Sequence, residues 1–158
     1  MPAMKELPPL DVASASLLRE WFENGIPFNK MLGMRLETVE AGLCVIHLPW
    51  RDELVGDILR PAVHGGVLST LIDTAGGAAC FASLGRREDR LSTVDLRVDY
   101  LRPGPPKDLW CRGEVVRMGN RVGVARMAVY SEALPAEGED DDPVATGQGV
   151  YNIVRRGG

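Results

Sequence analysis

The segment between Val67 and Leu84 constrains the fold of this chain more than any other. It reads as one helix whose apolar residues cover most of the circumference: Val67, Leu68, Leu71, Ile72, Ala75, Ala78 and Ala79. Such a helix is buried in a folded protein, because apolar surface on most sides must be shielded from water. We therefore expect the other segments to wrap around a central helix that runs from about Gly65 to Leu84.

The segments on either side of this helix show the alternation of apolar and polar residues that is typical of strands. Two strands come before the helix, within residues 33–41 and 43–50, and four come after it, within residues 93–100, 109–118, 121–130 and 144–154. Residues 51–63 read as an irregular, charged connection. Strands that come in runs, without alternating helices, favour an α+β fold. We predict a six-stranded antiparallel sheet wrapped around one long central helix.

The N-terminal part is a separate feature. Residues 1–10 hold three prolines, and a short amphipathic helix follows. Ser14 or Ser16 is expected to cap this helix, and Gly25 and Pro27 are expected to end it. The predicted boundaries are residues 1–26 for the N-terminal arm and helix and residues 27–158 for the main domain.

Composition and charge exclude several classes of function. The net charge of −4 gives no reason to expect nucleic acid as a partner, because such binding needs clustered positive charge. No apolar run approaches the roughly 18 residues of a membrane span, and the N-terminus lacks a secretory pattern. Three cysteines without a Cys-x-x-Cys pair, and only two histidines, predict a reduced cytoplasmic protein without a metal site or bound cofactor.

The start of the central helix carries the strongest chemical signal. His64-Gly65-Gly66 places two glycines where the first backbone N–H groups of a helix have no partner within the helix. Such a helix start suits an anion or a developing oxyanion. Asp73 lies about two turns further along the apolar helix, where burying a carboxylate is costly. Together these residues indicate a site for acyl-group chemistry.

Other segments resemble those of a known family. They are Thr93-Val94-Asp95-Leu96-Arg97-Val98-Asp99-Tyr100-Leu101-Arg102-Pro103, Val115 to Arg121 and Ala145 to Gly149. Together with His64-Gly65-Gly66 and Asp73, they resemble the hotdog-fold acyl-CoA thioesterases of the phenylacetate-pathway (PaaI-like) type. The resemblance covers roughly residues 27–155. It implies the hotdog fold and hydrolysis of an acyl- or aryl-acetyl-CoA to the free acid and coenzyme A.

The resemblance also implies a role for each site residue. The backbone N–H of Gly65 would bind the thioester oxygen, and His64 would help to position that group. Asp73 of the facing subunit would act as general base on water or as nucleophile, and Thr93 would help to place the water or the acid. The usual unit in the family is a homodimer with a continuous sheet, often paired again as a dimer of dimers, with active sites at the dimer interface.

Spacing along the helix supports a site shared between subunits. A helix advances about 10 Å between Gly66 and Asp73. A general base must lie within about 3 Å of its water. Asp73 therefore cannot easily serve the oxyanion site at its own helix start, whereas the acid of a second subunit can approach it.

One residue departs from the family pattern. The family often has an asparagine a few residues before the histidine, and here Asp57 stands at one of the expected spacings. As an anion, Asp57 accepts hydrogen bonds but cannot donate one. If the two carboxylates lie close together, Asp57 is also expected to raise the pKa of Asp73.

Contacts with coenzyme A are predicted at Gly66 and at one hairpin. Gly119-Asn120 is a two-residue turn signal, with arginines on both sides. Arginine forks suit phosphate groups, so Arg117, Asn120 and Arg121 are candidates for the coenzyme A phosphates. The alternative is a solvated turn without a ligand.

Two other functions remain open at this point. A hotdog-fold enoyl-thioester hydratase would pair an acid with a histidine, and Asp57 with His64 resembles such a pair. The position of Asp73 on the helix favours hydrolysis instead. A non-catalytic module that binds acyl-CoA is the second alternative.

Overall fold

The computed structural model describes residues 9–86 and 88–156 of the chain. Three α-helices are present in these residues, α1 (Val12–Glu20), α2 (Pro27–Leu32) and α3 (Gly65–Ala82), and α1 continues as a π-helical turn over Trp21–Gly25. The strands are β1 (Arg35–Glu40), β2 (Leu43–Leu48), β3 (Val55–Asp57), β4 (Ala62–Val63), β5 (Arg90–Tyr100), β6 (Leu109–Met118), β7 (Val122–Ser131) and β8 (Ala145–Val154). The predicted central helix and all six predicted sheet strands are therefore confirmed, with ends that differ by a few residues.

Six of these strands form one antiparallel sheet in the order β1-β2-β6-β7-β8-β5. The two outermost strands, β1 and β5, are separated in sequence by α3. The helix lies across the inner face of the sheet and contacts β2, β5, β6, β7 and β8. This arrangement confirms the predicted sheet wrapped around one central helix.

The helix approaches the sheet closely because glycines line part of the inner face. A Cβ atom on Gly113 would lie 2.6 Å from the carbonyl oxygen of Ala75, and one on Gly147 would lie 2.5 Å from the Ile72 side chain. Neither distance is compatible with a side chain. The two glycines therefore set how deeply the middle of α3 sits on the sheet.

The sheet covers most of the helix but not all of it. Leu68, Leu71, Ile72 and Ala75 on the covered side are buried. The rest of the circumference, which we call the open arc, is only half-buried and consists of Val67, Ser69, Thr70, Asp73, Thr74, Gly77 and Phe81. The prediction that the rest of the protein covers most of the helix is confirmed, and the uncovered part contains Asp73.

The N-terminal helix begins differently from the prediction. Its cap is Asp11, whose carboxylate accepts hydrogen bonds from the backbone N–H and the hydroxyl of Ser14 at 2.9 and 2.7 Å. Neither Ser14 nor Ser16 is the cap, because aspartate at this position bonds both groups of Ser14. Leu18 and Phe22 are buried in the same core as the central helix.

The connection before α3 is also more regular than expected. Residues 51–63 contain a short 3-10 helix and the two strands β3 and β4, which pair as a small hairpin. The backbone N–H of His64 donates to the carbonyl of Leu54 at 2.8 Å, and that of Val63 donates to Gly104 at 2.9 Å. This hairpin therefore fixes the position at which the central helix begins.

No helix in the described residues is long and apolar enough to cross a bilayer.

Candidate active site

The first turn of α3 is capped by the side chain of His64. Its Nδ1 atom accepts a hydrogen bond from the backbone N–H of Gly66 at 2.8 Å. Because Nδ1 accepts, the neutral ring carries its proton on Nε2, and the exposed ring leaves that N–H available. A Cβ on Gly66 would lie 2.9 Å from Nδ1, so this glycine makes room for the ring.

A third glycine supports His64 from the other side. A Cβ on Gly56, in β3, would lie 2.5 Å from the Cα of His64. The β3–β4 hairpin thus packs directly against the backbone of the capping residue. Sequence reasoning did not identify Gly56, because the contact depends on how this hairpin folds back.

The backbone N–H of Gly65 faces an open cleft. No acceptor for this N–H lies within residues 9–86 and 88–156, whereas the N–H of Gly66 is bonded to His64. The cleft has a volume of about 350 Å³ and is lined by Val63, Gly65, Leu68, Tyr100, Leu101, Arg102, Pro103 and Gly104. A donor without a partner at a helix N-terminus is the arrangement that binds a carbonyl oxygen as it becomes an oxyanion.

The acid predicted on the helix is held by two residues of the sheet. The hydroxyl of Thr93 donates to Oδ1 of Asp73 at 2.8 Å. The hydroxyl of Tyr151 donates to the backbone carbonyl of Asp73 at 3.0 Å. Asp73 is half-buried on the open arc, and the Thr93 hydroxyl occupies one of its two carboxylate oxygens.

Asp73 does not bond the hydroxyls of Ser69 and Thr70, which lie close to it on the same helix. Both hydroxyls donate instead to the carbonyl of Gly66, at 3.1 and 2.7 Å. Hydroxyls in a helix commonly bond the carbonyl one turn back, and these follow that pattern. Neither of these hydroxyls therefore donates a hydrogen bond to the carboxylate of Asp73.

Thr93 reaches Asp73 because of a β-bulge. Strict alternation places Thr93 with Asp95, Arg97 and Asp99 on the outer face of the sheet. The register between β5 and β8 shifts between Thr93 and Asp95, so Thr93 pairs with the inward-facing Tyr151. Bulges often turn a side chain toward an active site. Here the bulge brings Thr93 to the inner face, beside the helix.

Tyr151 is a supporting residue that the sequence did not reveal. A Cβ on Gly76 would lie 2.3 Å from its hydroxyl, and one on Gly149 would lie 2.5 Å from it. Burial raises the pKa of Tyr151 far above its usual value, so it remains a neutral donor. The sequence signal for Tyr151 was a glycine inside a helix, Gly76, and another within a strand, Gly149. Glycine lowers stability at such positions, so its presence indicates that a neighbouring group needs the space.

Asp57 is the last residue of β3, in the small hairpin that packs against His64. Its Oδ1 atom accepts from the backbone N–H groups of Leu59 and Arg60 at 3.0 and 3.2 Å. These hydrogen bonds, with the nearby Arg60 guanidinium, hold the pKa of Asp57 below its ordinary value. Asp57 is thus an anion that stabilises the turn, and the half-buried residue keeps only part of its carboxylate for other partners.

The residues predicted to contact coenzyme A phosphates, Arg117, Asn120 and Arg121, lie toward the C-terminal end of α3. Gly123, in the strand that follows the hairpin of Arg117, Asn120 and Arg121, packs against Cys80. A helix advances about 22 Å from Gly65 to Cys80. Within one chain, the hairpin is therefore far from the Gly65 N–H. In the described part of the chain, Arg117 and Arg121 have no carboxylate partner.

Comparison with known proteins gives a consistent result. The family model of the thioesterase superfamily matches residues 61–135. The Medium/long-chain acyl-CoA thioesterase YigI of Escherichia coli (strain K12) is 35% identical over 128 residues, which cover 73% of this chain and 83% of that protein. The chain belongs to the thioesterase superfamily.

Solved structures agree with this membership. A protein from Shewanella oneidensis related to the thioesterase superfamily has a TM-score of 0.75 at 32% identity, covering 90% of this chain and 98% of that one. A thioesterase family protein from Silicibacter pomeroyi has a TM-score of 0.75 at 28% identity, covering 89% and 97%. This thioesterase superfamily member therefore has the hotdog fold, and it is a thioester hydrolase.

Proposed function

We propose that this thioester hydrolase cleaves acyl-CoA in active sites that two subunits share. The Gly65 N–H of one subunit binds the thioester carbonyl, and Asp73 of the other activates the attacking water. The observation that carries the proposal is the separation of two prepared groups on one helix. Gly65 has a backbone donor without an acceptor, Asp73 is held by Thr93, and the helix advances about 12 Å between them.

The shared site requires a homodimer that brings the start of one α3 to the middle of another. Strand β5 supports such a contact because it lies at the edge of the sheet and carries Thr93. Val94, Tyr100 and Leu101 at this edge are exposed. An unpaired edge with apolar side chains is a natural position for a second copy to extend the sheet. A further pairing into a dimer of dimers is part of the proposal.

The reaction then follows from the positions of the donors and the acid. Asp73 takes a proton from water as the water oxygen bonds to the thioester carbon. The carbonyl oxygen becomes an oxyanion, which the Gly65 N–H stabilises at the helix N-terminus. The C–S bond breaks, and the sulfur of coenzyme A receives the proton from Asp73. Thr93 keeps the carboxylate oriented throughout.

His64 holds the first turn in the conformation that presents Gly65. By accepting from the Gly66 N–H, it directs its Nε2–H outward, toward the position of the bound thioester. Its part in the reaction is positioning through this second N–H. In the competing hydratase reaction, His64 and Asp57 would act as a pair, but the Asp57 hydrogen bonds are to its own loop.

The nucleotide part of coenzyme A is assigned to the hairpin of Arg117, Asn120 and Arg121. Two arginines that have no carboxylate partner among the described residues flank this turn, and guanidinium groups bind phosphates in a bidentate manner. Gly66 contributes through its backbone position at the mouth of the cleft. No other cofactor is needed for this reaction.

A medium- or long-chain acyl group is the substrate class that we favour. The E. coli relative is named for such substrates, and Val67, Gly77 and Phe81 give the open arc apolar surface beside Asp73. Aryl-acetyl-CoA, implied by the PaaI-like motifs, is the alternative in the test. The reaction is assigned to the cytoplasm, where the three buried, unpaired cysteines remain reduced.

A substrate panel with two inactive variants tests the proposal. Asp73→Asn keeps the shape of the side chain but removes the base, so kcat should fall by about 1,000-fold. Gly65→Pro removes the N–H at a helix position that tolerates proline, and Gly65→Ala, which adds the Cβ but keeps the N–H, is its steric control. Release of free coenzyme A thiol from straight-chain and aryl-acetyl esters measures both effects, and circular dichroism checks the fold.

Mixing the two variants tests the shared site. After the subunits are exchanged by unfolding and refolding together, a mixed dimer has one site with both Gly65 and Asp73 intact. Random pairing then restores about a quarter of the wild-type activity. A mixture that stays inactive would place both groups in one subunit. Asp73→Asn activity close to that of wild type would refute the catalytic assignment.

A further inference from the structure

Gly77 occupies a distinctive position on the open arc of α3. It lies one turn after Asp73 on the same side of the helix, because residues four apart are neighbours on a helix surface. It is half-buried, and its backbone is regular α-helix. Any group that approaches the carboxylate of Asp73 along the helix therefore passes over Gly77.

Packing within the subunit explains the preceding glycine but not this one. A Cβ on Gly76 would lie 2.3 Å from the Tyr151 hydroxyl and 2.7 Å from the sulfur of Met127. A Cβ on Gly77 would meet Tyr151 at 3.6 Å and Leu91 at 4.0 Å, which is ordinary van der Waals contact. Alanine therefore fits at position 77 and not at position 76.

A glycine that the fold does not require is costly inside a helix, because it lowers helix stability relative to alanine. The space above Gly77 therefore has a use outside the packing of its own subunit. We propose that Gly77 keeps open the channel through which the acyl chain leaves the reacting carbonyl. This inference rests on the proposed function, and it makes Gly77 the residue that sets the length of acyl chain accepted.

The far end of this channel is the aromatic pair of Phe81 and Trp21. Phe81 is the next residue of the open arc after Gly77, and its ring stacks on Trp21 with centroids 5.2 Å apart. Trp21 itself is 48% exposed, which leaves apolar surface at the end of the arc. The helix advances about 12 Å from Asp73 to Phe81, the length of an extended chain of roughly nine or ten carbons.

Substitution of Gly77 tests the channel with butanoyl-, octanoyl- and dodecanoyl-CoA as substrates. Gly77→Leu should lower kcat/KM for dodecanoyl-CoA by about tenfold or more, since each methylene that loses its contact weakens binding by about fourfold. Hydrolysis of butanoyl-CoA should fall less than that of dodecanoyl-CoA, so the ratio of the two kcat/KM values should shift toward the shorter chain, because fewer methylenes of butanoyl-CoA meet the new side chain.

Gly77→Ala provides a matched test that does not depend on a large side chain. Alanine should raise the melting temperature and at the same time move the preferred substrate toward shorter chains. Phe81→Ala should lengthen the channel and therefore move the preferred substrate toward longer acyl chains. A glycine with only a structural role would not combine higher stability with a changed chain-length profile.

The outcomes separate this inference from the proposed function. If the wild-type protein hydrolyses neither these three esters nor an aryl-acetyl-CoA, the proposed function fails and the channel fails with it; if it hydrolyses only the aryl-acetyl ester, the channel for straight chains is refuted alone. If the wild type is active and the Gly77 variants lower all three rates equally, or leave them unchanged, only the channel is refuted. Light scattering completes the test, because a Gly77→Leu variant that becomes monomeric would show a helix–helix contact in place of a channel.

Discussion

Helix α3 contains two pairs of adjacent glycines, and a comparison of the pairs explains how one helix supplies two parts of a site. The first pair, Gly65-Gly66, opens the helix, and the second, Gly76-Gly77, follows Asp73. In each pair, one glycine admits an aromatic ring that hydrogen-bonds the helix backbone. Gly66 makes room for His64, and Gly76 makes room for Tyr151.

The other member of each pair leaves room for a Cβ atom at ordinary contact distance, and here the pairs differ. Gly65 presents a backbone N–H that has no acceptor among the described residues, so the helix start is suited to a polar oxygen. Gly77 lies where the helix backbone is already bonded, so it contributes only room. The first pair therefore supplies a hydrogen-bond donor for the reaction, and the second supplies space beside Asp73.

The largest expected effect separates the two members of the second pair. Gly76→Ala should lower the free energy of unfolding by about 2–3 kcal/mol, because the new methyl group overlaps Tyr151 and Met127 in a packed core. Gly77→Ala should raise it by about 0.5–1 kcal/mol, through helix propensity. Urea unfolding followed by circular dichroism measures both. Equal effects at the two positions would contradict the comparison.

A smaller effect on the free energy of unfolding is expected when Tyr151, whose ring fits against Gly76, loses its hydroxyl. Tyr151→Phe removes the hydrogen bond to the Asp73 carbonyl and should cost about 1 kcal/mol of stability. It should lower kcat several-fold with KM unchanged, since Asp73 loses support but substrate contacts remain.

The double variant sharpens this result. In Tyr151→Phe the hydroxyl that lies closest to Gly76 is absent, so Gly76→Ala should cost less in that background than in wild type. Additive losses would show that the hydroxyl is not the reason for the glycine.

The smallest effect is expected at the first pair. Gly66→Ala places a methyl group against the His64 ring, but this ring is exposed and can rotate away. We expect a loss of about 0.5–1 kcal/mol of stability, comparable to the loss of a helix cap. Thermal unfolding of Gly66→Ala and of His64→Ala measures the two losses of stability. Equal losses would confirm that the effect of Gly66→Ala comes from displacing the His64 ring. A loss as large as that of Gly76→Ala would remove the contrast between the pairs.

Much of the fold was predictable because it depends on local periodicity. An apolar helix with strands on both sides can bury its surface only if the strands wrap around it, and the sheet confirms this. The small hairpin at residues 55–63 was missed, since its strands are too short to show alternation. The helix cap Asp11 was missed because several neighbouring residues had suitable side chains.

The candidate site was predictable as residues but not as contacts. His64, Gly65 and Asp73 could be selected because their types are unusual at the start and middle of an apolar helix. The partner of Asp73 could not be assigned by alternation, since the bulge next to Val94 reverses the face on which Thr93 lies. Tyr151 is distant in sequence and reaches Asp73 only because α3 packs against β8.

By itself, the sequence determined that one helix is central, that its start offers free N–H groups and that an acid lies within it. These properties follow from residue type and helical spacing, which act over a few residues. Only the tertiary structure decided that Gly66 and Gly76 make room for rings, whereas Gly65 and Gly77 would each take a Cβ atom at ordinary contact distance. That distinction depends on which atoms from distant strands and loops come within a few ångströms of each glycine, and no local pattern encodes it.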